Sequence, residues 1–219
     1  MPRLLFEKKG NAIWISHLDL MRVFQRSFKR AGLPLAHTQG FNPRPSVSIA
    51  LPLSVGIESS CELLDFDLDG EPIPEAEIKR RLNEKLVEGV RVLDVYTGGQ
   101  KIKNLALLDC RLTLRYDGGV PEGAAEKIRA LLSQEEVTVT KKSKNGNTEQ
   151  NIIPMMVGFS VEQPDGDALV LQARICCQNP SLNPMQIAAA IEKYLPECAP
   201  SFVECSRLEI YDQKEQQFR

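Results

Sequence analysis

The chain has 219 residues, of which 42% are hydrophobic and 26% are charged, and its formal net charge is −2. This composition is typical of a globular protein of one large domain or two of about 100 residues each. It holds no run of about 18 apolar residues that could cross a bilayer, and its charged first residues differ from a signal peptide, so we expect a cytoplasmic protein without membrane contact.

The first hundred residues predict a β-α-β-β-α-β order of elements. Ser16 followed by Asp19 is typical of a helix start, because the serine oxygen accepts a free backbone amide and the acid stabilises the helix dipole. Gly32 and Pro34 predict the end of this helix near Ala31. Short or alternating apolar runs predict strands. The predicted strands are 3–8, 47–53, 62–68 and 90–96, and the predicted helices are 16–31 and 74–86.

The remaining residues predict a similar order with one added strand. Asp165-Gly166 between two apolar runs predicts a hairpin. The order matches the split βαβ motif. We therefore predict an α+β fold of two ferredoxin-like units in tandem, residues 1–100 and 101–219, with antiparallel sheets and helices packed on one face. The predicted strands of the second unit are 105–116, 137–140, 152–162, 168–176 and 202–211, and its helices are 121–132 and 183–195.

The first helix combines an apolar face with a basic one. Residues 1–50 contain eight basic and two acidic residues, whereas residues 51–100 contain five basic and eleven acidic ones, which favours an anionic partner for the basic part. Like charges three or four residues apart repel each other, and phosphate binding would offset that cost. Simple solvation, or pairing with acids of the second helix, is the alternative. The basic positions are Arg22, Arg26, Lys29 and Arg30, and the apolar face comprises Leu20, Val23, Phe24, Ser27, Phe28 and Ala31.

The loop that follows the helix contains residues of the types that bind an unpaired base. Gly40 permits a tight backbone, and the prolines on either side of Arg44 stiffen the chain. A rigid loop would project Phe41 as a stacking surface beside an amide and a guanidinium. The alternative is that Phe41 packs into the core and Asn42 caps a turn. The predicted RNA contacts of this loop are Gln39, Phe41, Asn42 and Arg44.

The histidines and cysteines predict neither a metal site nor a cofactor. His17, at the helix start, has the chemistry of a general acid or base but no accompanying nucleophile or metal set, and His37 has no acidic cluster. Six scattered cysteines without CxxC spacing are typical of buried thiols in a reducing compartment. We expect Trp14 to lie in the core or at a strand edge.

A further basic group surrounds Asn145-Gly146. A hairpin tip of this composition could contact a phosphate backbone, or it could be an ordinary solvated turn. The candidate residues are Lys141, Lys142 and Lys144.

Three segments resemble the radical SAM-associated protein family, a bacterial domain of unknown function found alone or fused behind a radical SAM enzyme. They are SHLDLMR (16–22), RAGLPLAHTQGFNPRPSVSIALPLSVG (30–56) and SSCELLDFDL (59–68), with a looser match through NIIPMMVG (151–158). The sequence departs from the family pattern at Arg44, where histidine is common, and at Ile153, where arginine is common. The resemblance implies a radical SAM partner and a role in RNA modification or maturation.

These features lead to two hypotheses. The first is a non-catalytic accessory that binds RNA, for example tRNA or rRNA, and works with a radical SAM enzyme; the chain lacks the CxxxCxxC motif of such an enzyme. The second is a metal-independent endoribonuclease similar to the Cas6 type, with His17 as acid or base and Arg44 steadying the phosphate. A protein–protein adaptor without RNA contact is a plainer alternative.

Overall fold

The computed structural model describes residues 1–143 and 146–219. The chain divides into a first unit, Met1–Ile102 together with Arg219, and a second unit, Lys103–Phe218. Both units combine antiparallel strand pairs with two α-helices, so the predicted α+β class is confirmed. None of the helices in these described ranges is long and apolar enough to cross a membrane.

The first unit has a sheet in which β1 lies between β4 and β3, and β2 pairs with β3. All of these pairs are antiparallel. The helices are predicted at the correct places, but β2 ends four residues earlier than expected, because the chain turns before Pro52, which has no amide to donate to a ladder. The elements are β1 (Pro2–Lys8), α1 (His17–Arg30), β2 (Val47–Ile49), β3 (Ile57–Phe66), α2 (Glu75–Asn83) and β4 (Val90–Thr97).

The apolar face of α1 packs against this sheet through aromatic side chains. The rings of Phe24 and Phe6 meet edge to face, with centroids 4.8 Å apart. Those of Phe28 and Phe66 are 5.0 Å apart. All four side chains are buried, which fixes the orientation of the helix and turns its basic face to solvent.

The predicted cap of α1 is present. The side chain of Ser16 accepts the backbone amide of Asp19 at 3.2 Å and also bonds its carboxylate at 2.7 Å. The Ser16 and Arg22 hydrogen bonds lower the pKa of Asp19. The helix is followed by Gly32, whose φ of 66° is the left-handed conformation that suits glycine after a helix.

The second unit has a four-stranded antiparallel sheet in the order β10-β5-β9-β8. Strands β6 and β7 form a separate two-stranded hairpin between α3 and β8. The elements are β5 (Leu105–Arg115), α3 (Ala124–Leu132), β6 (Thr138–Ser143), β7 (Gly146–Asn151), β8 (Met156–Glu162), β9 (Ala168–Cys176), α4 (Met185–Tyr194) and β10 (Phe202–Asp212).

The prediction of a single added strand in this unit is wrong, because the structure contains a hairpin. The missed strand β7 has the sequence GNTEQN, which lacks the apolar alternation by which strands are recognised. The predicted strand at 152–162 also begins later, at Met156, after a short 3-10 turn.

Helix α4 holds the base of the β6–β7 hairpin. The ammonium group of Lys193 and the hydroxyl of Tyr194 both donate to the backbone carbonyl of Thr138, at 2.9 and 3.0 Å. Val137 and Val139 are buried beside this point. The hairpin is therefore fixed where it leaves the rest of the second unit.

Candidate nucleic-acid interface

The outer face of α1 presents an exposed basic surface. Arg22, Arg26 and Lys29 are all exposed. Arg22 forms an exposed ion pair with Asp19 at 2.8 Å. Within the described part of the chain, no hydrogen bond or ion pair engages the side chains of Arg26 and Lys29. These two cations are therefore available to a bound anion.

Arg30 differs from the other basic residues of α1. Its guanidinium donates to the backbone carbonyl of Lys85 at 2.6 Å and to the hydroxyl of Ser27 at 3.1 Å. Among the described residues, Arg30 makes no ion pair with an acid of α2, which was the alternative to anion binding. Glu77 of α2 pairs instead with Arg80 and Arg81 of its own helix. Arg30 thus joins α1 to the turn after α2.

The loop between α1 and β2 is closed at its base by two hydrogen bonds between Thr38 and Arg44. The amide of Thr38 donates to the carbonyl of Arg44 at 2.8 Å, and the amide of Arg44 donates to the hydroxyl of Thr38 at 3.1 Å. Next to this pair, on the side away from the loop tip, His37 and Pro45 form an isolated β-bridge. Residues 38–44 therefore protrude as a narrow loop from a fixed base.

The side chains at the tip of this loop point into solvent. Phe41 is fully exposed, so the alternative in which it packs into the core is wrong. Gln39, Asn42 and Arg44 are also exposed. Gly40 has a φ of 138°, which explains the glycine at this position. An exposed phenyl ring flanked by amides and a guanidinium is equipped to stack on a base and contact its edge.

A cavity of about 700 Å³ lies between α1 and the base of the loop. Its apolar wall contains Leu33, Leu35 and Pro45. Its polar wall contains Gln25, Lys29 and Asp69. The sequence alone does not indicate Gln25 and Asp69 as site residues, because they become neighbours only through the pairing of segment 34–36 with segment 67–69. The helical spacing of Gln25 and Lys29, four residues apart, is the one signal that places two of these groups on one face.

Trp14 lies neither in the core nor on a strand, contrary to our expectation. It lies in a short 3-10 turn before α1 and is 64% exposed, with its ring 3.6 Å from the position that a Cβ on Gly56 would occupy. The buried ammonium group of Lys8 donates to the carbonyls of Ile13 and Ile15 on either side of it. The backbone of this turn is therefore held from its buried side by Lys8, while the indole of Trp14 is exposed to solvent.

His17 is the first residue of α1 and is half-buried. Among the residues that the structure describes, no hydrogen bond or ion pair connects it with Arg44. The nuclease arrangement that would use both residues therefore has no direct contact between them.

The basic hairpin is described in part. Lys141 is half-buried on β6, opposite Thr148, and the backbone of Lys142 pairs with Asn147. Lys144, the remaining predicted RNA contact, lies outside the described residues.

The cysteines are buried thiols for the most part. Burial raises the pKa of Cys110 and of Cys205 to about 12, and that of Cys177 to about 11. Within the described residues, no group of three or more His, Cys, Asp or Glu side chains is arranged to hold a metal ion.

The fold and this surface define an α+β protein with an exposed cationic helix beside an aromatic loop. The chain belongs to the family described as "Uncharacterized protein conserved in bacteria (DUF2344)", whose model matches residues 2–184. None of the curated proteins matches the chain at a significant level.

Several solved structures match the chain along most of its length. A chain in the crystal structure of a Cbf5-Nop10-Gar1 complex matches with a TM-score of 0.54 and 10% identity, over 95% of this chain and 48% of that one. A chain in the crystal structure of the archaeal box H/ACA sRNP Nop10-Cbf5 complex matches with a TM-score of 0.47 and 9% identity, over 94% and 46%. This chain thus spans about half the length of those proteins, and at such identity the first similarity describes the fold alone.

Proposed function

We propose that the first unit binds RNA through the outer face of α1 and the loop at 38–44, as a non-catalytic accessory in RNA modification or maturation. One observation carries this proposal. Arg26 and Lys29 are exposed cations without a hydrogen-bond or ion-pair partner among the described residues, and the fully exposed Phe41 lies on a nearby loop whose base is held by hydrogen bonds. Cations attract the phosphates and the ring stacks on an unpaired base.

We further propose that the chemistry belongs to a radical SAM enzyme in the cytoplasm with which this protein works. The support for this partner is the resemblance of residues 16–22, 30–56 and 59–68 to proteins found beside or fused to such enzymes. The accessory would hold the RNA, and the enzyme would act on it.

We infer that both units follow the ferredoxin-like plan. The order β4-β1-β3-β2 in the first unit and β10-β5-β9-β8 in the second are both the order of a split βαβ motif. In the second unit, the β6–β7 hairpin is then an insertion between its first helix and its second strand.

The test is the binding of a labelled single-stranded RNA across a salt series. The logarithm of the affinity should fall linearly with the logarithm of the salt concentration, by about 0.7 for each phosphate contacted. The double variant Arg26→Glu with Lys29→Glu should bind at least about tenfold more weakly and show a shallower slope, because two phosphate contacts are lost. Arg30 is left intact, since its guanidinium ties two parts of the unit together.

The matched control is Lys101→Glu with Lys103→Glu, which changes the net charge equally at two exposed lysines outside the surface. It should bind RNA nearly as well as the natural protein. Equal loss in both double variants, or loss in neither, would contradict the proposal. Metal-independent cleavage of the RNA that disappears in His17→Ala would instead support the endoribonuclease.

A further inference from the structure

We propose that the cavity between α1 and the base of the loop binds one unpaired nucleotide of the RNA, with the base against its apolar wall and the phosphate at Lys29. This inference rests on the proposed RNA binding and names the part of the RNA that the site receives. It concerns a different place from the tip of the loop, because the residues at 39–44 do not line the cavity.

The apolar wall of the cavity is preformed. Leu33 and Leu35 are buried, and Pro45 closes the wall from the loop side. Three backbone hydrogen bonds hold the wall. The amide of Ala36 donates to the backbone carbonyl of Asp67 at 2.9 Å, and the carbonyl of Ala36 accepts a hydrogen bond from the amide of Ser46 at 2.7 Å. The amide of Asp69 donates to the carbonyl of Pro34, also at 2.9 Å. A ligand would therefore find the wall in place and pay little to order it.

The polar wall of the cavity offers the groups that a base edge and a phosphate require. The amide of Gln25 can both donate and accept, and the carboxylate of Asp69 accepts from base N–H groups. Lys29 supplies the positive charge for a phosphate, and His37 lines the same cavity. In the described part of the chain, no hydrogen bond or ion pair engages the side chains of these four residues. Their bonding capacity is therefore free for a ligand.

The size and the lining of the cavity favour a single nucleotide. Its volume of about 700 Å³ lies within the roughly 300–1,000 Å³ of sites that enclose small ligands. Apolar walls with few polar groups match a base, which has two apolar faces and a polar edge. Since a paired base presents neither face, the site would favour single-stranded RNA over a duplex.

The experiment fills the cavity without changing any charge. Gln25→Trp places an indole in the cavity, and Gln134→Trp makes the same replacement at an exposed position of the second unit. Affinities are measured for a labelled single-stranded RNA of mixed sequence and for the same RNA annealed to its complement. Gln25→Trp should reduce single-strand affinity about tenfold, the effect of one lost base stack, and leave duplex affinity unchanged. Gln134→Trp should alter neither affinity.

A second measurement needs no variant. Guanosine 5′-monophosphate is titrated into the natural full-length protein, and backbone amide shifts are followed by NMR. Shifts concentrated at 32–37 and at Asp69 would support the inference; shifts elsewhere, or none at millimolar concentration, would overturn it. If RNA binding depends on Arg26 and Lys29 but Gln25→Trp binds single strands normally, the nucleotide site is refuted while the proposed function stands. If the natural protein binds no RNA, the proposed function fails. The titration with guanosine 5′-monophosphate then still tests, separately, whether the cavity binds a nucleotide.

Discussion

Lys8 offers a sharp test of the forces that hold the first unit together. Its side chain is buried, with 1% of the residue exposed. The ammonium nitrogen lies 3.1 Å from the carbonyl oxygen of Ile13 and 2.8 Å from that of Ile15. Burial lowers the pKa of Lys8, whereas the charge of the buried Glu62 acts in the opposite direction. The replacement Lys8→Met keeps the length of the side chain and removes its charge.

The expected loss of stability is large. Each hydrogen bond from a charged donor contributes about 1.5–3 kcal/mol, and the ammonium group of Lys8 makes two, to the carbonyls of Ile13 and Ile15. Amide NH of Gly56 also donates to the carbonyl of Ile13, so that oxygen keeps one partner. We expect the loss of these two hydrogen bonds in Lys8→Met to lower the free energy of unfolding by about 3–5 kcal/mol, a large part of the about 5–15 kcal/mol typical of a domain.

The assay is urea unfolding followed by far-UV circular dichroism. The control is Lys9→Met, because the side chain of Lys9 is 47% exposed and pairs with Glu7 at the surface; this change should cost less than about 1 kcal/mol. The double variant Lys8→Met with Glu62→Leu should be more stable than the sum of the two single effects predicts, since it removes both charges together. A Lys8→Met protein whose free energy of unfolding differs from that of the natural protein by less than about 1 kcal/mol would refute this reasoning.

Three further predictions concern single positions. Ser16→Ala should lower the free energy of unfolding by about 1 kcal/mol through loss of the cap to Asp19, and Ser16→Gly by only a few tenths, as measured by urea unfolding. Gly89→Ala should reduce the midpoint of thermal unfolding strongly, because φ is 82° and the new Cβ would stand 2.3 Å from a backbone oxygen. Burial raises the pKa of Tyr116 from 10.0 to about 12, and its hydroxyl donates to the carbonyl of Cys198. Its contribution should be complete below pH 10.0 and lost as the pH rises toward 12, and Tyr116→Phe should lack this part of the decline in urea midpoint.

The parts of the fold that local rules govern were predictable from the sequence. Ser16 and Asp19 locate the start of α1, and Gly32 locates its end, because capping depends on neighbouring residues alone. Strand β9 was predicted with its observed bounds, Ala168–Cys176, since its apolar run is bounded by clear turn residues. Strand β7 was missed because a polar strand in a hairpin carries no apolar alternation.

The candidate site was predictable only where exposure follows from helical geometry. Arg26 and Lys29 fall opposite the apolar face of α1 and are exposed as expected. Trp14 lies instead in a turn whose flanking carbonyls accept hydrogen bonds from the buried Lys8, a contact that the sequence pattern does not indicate. The tie between Arg30 and Lys85 joins residues that are 55 positions apart, so it needs the tertiary fold.

The attachment of the β6–β7 hairpin has a consequence for how this protein can change. The side chains of Lys193 and Tyr194 donate hydrogen bonds to Thr138, the first residue of β6. The hairpin contributes no strand to the four-stranded sheet of this unit. Two residues of β7 also contact α4: Glu149 pairs with Lys193 at 3.7 Å, and Gln150 accepts a hydrogen bond from Gln186 at 3.4 Å. Residues added between Lys141 and Thr148, beyond these contacts, lengthen only the closed span of the hairpin, and doubling such a span costs roughly 0.6 kcal/mol. The reach of the hairpin is therefore a length that can be varied independently of the stability of the unit that carries it.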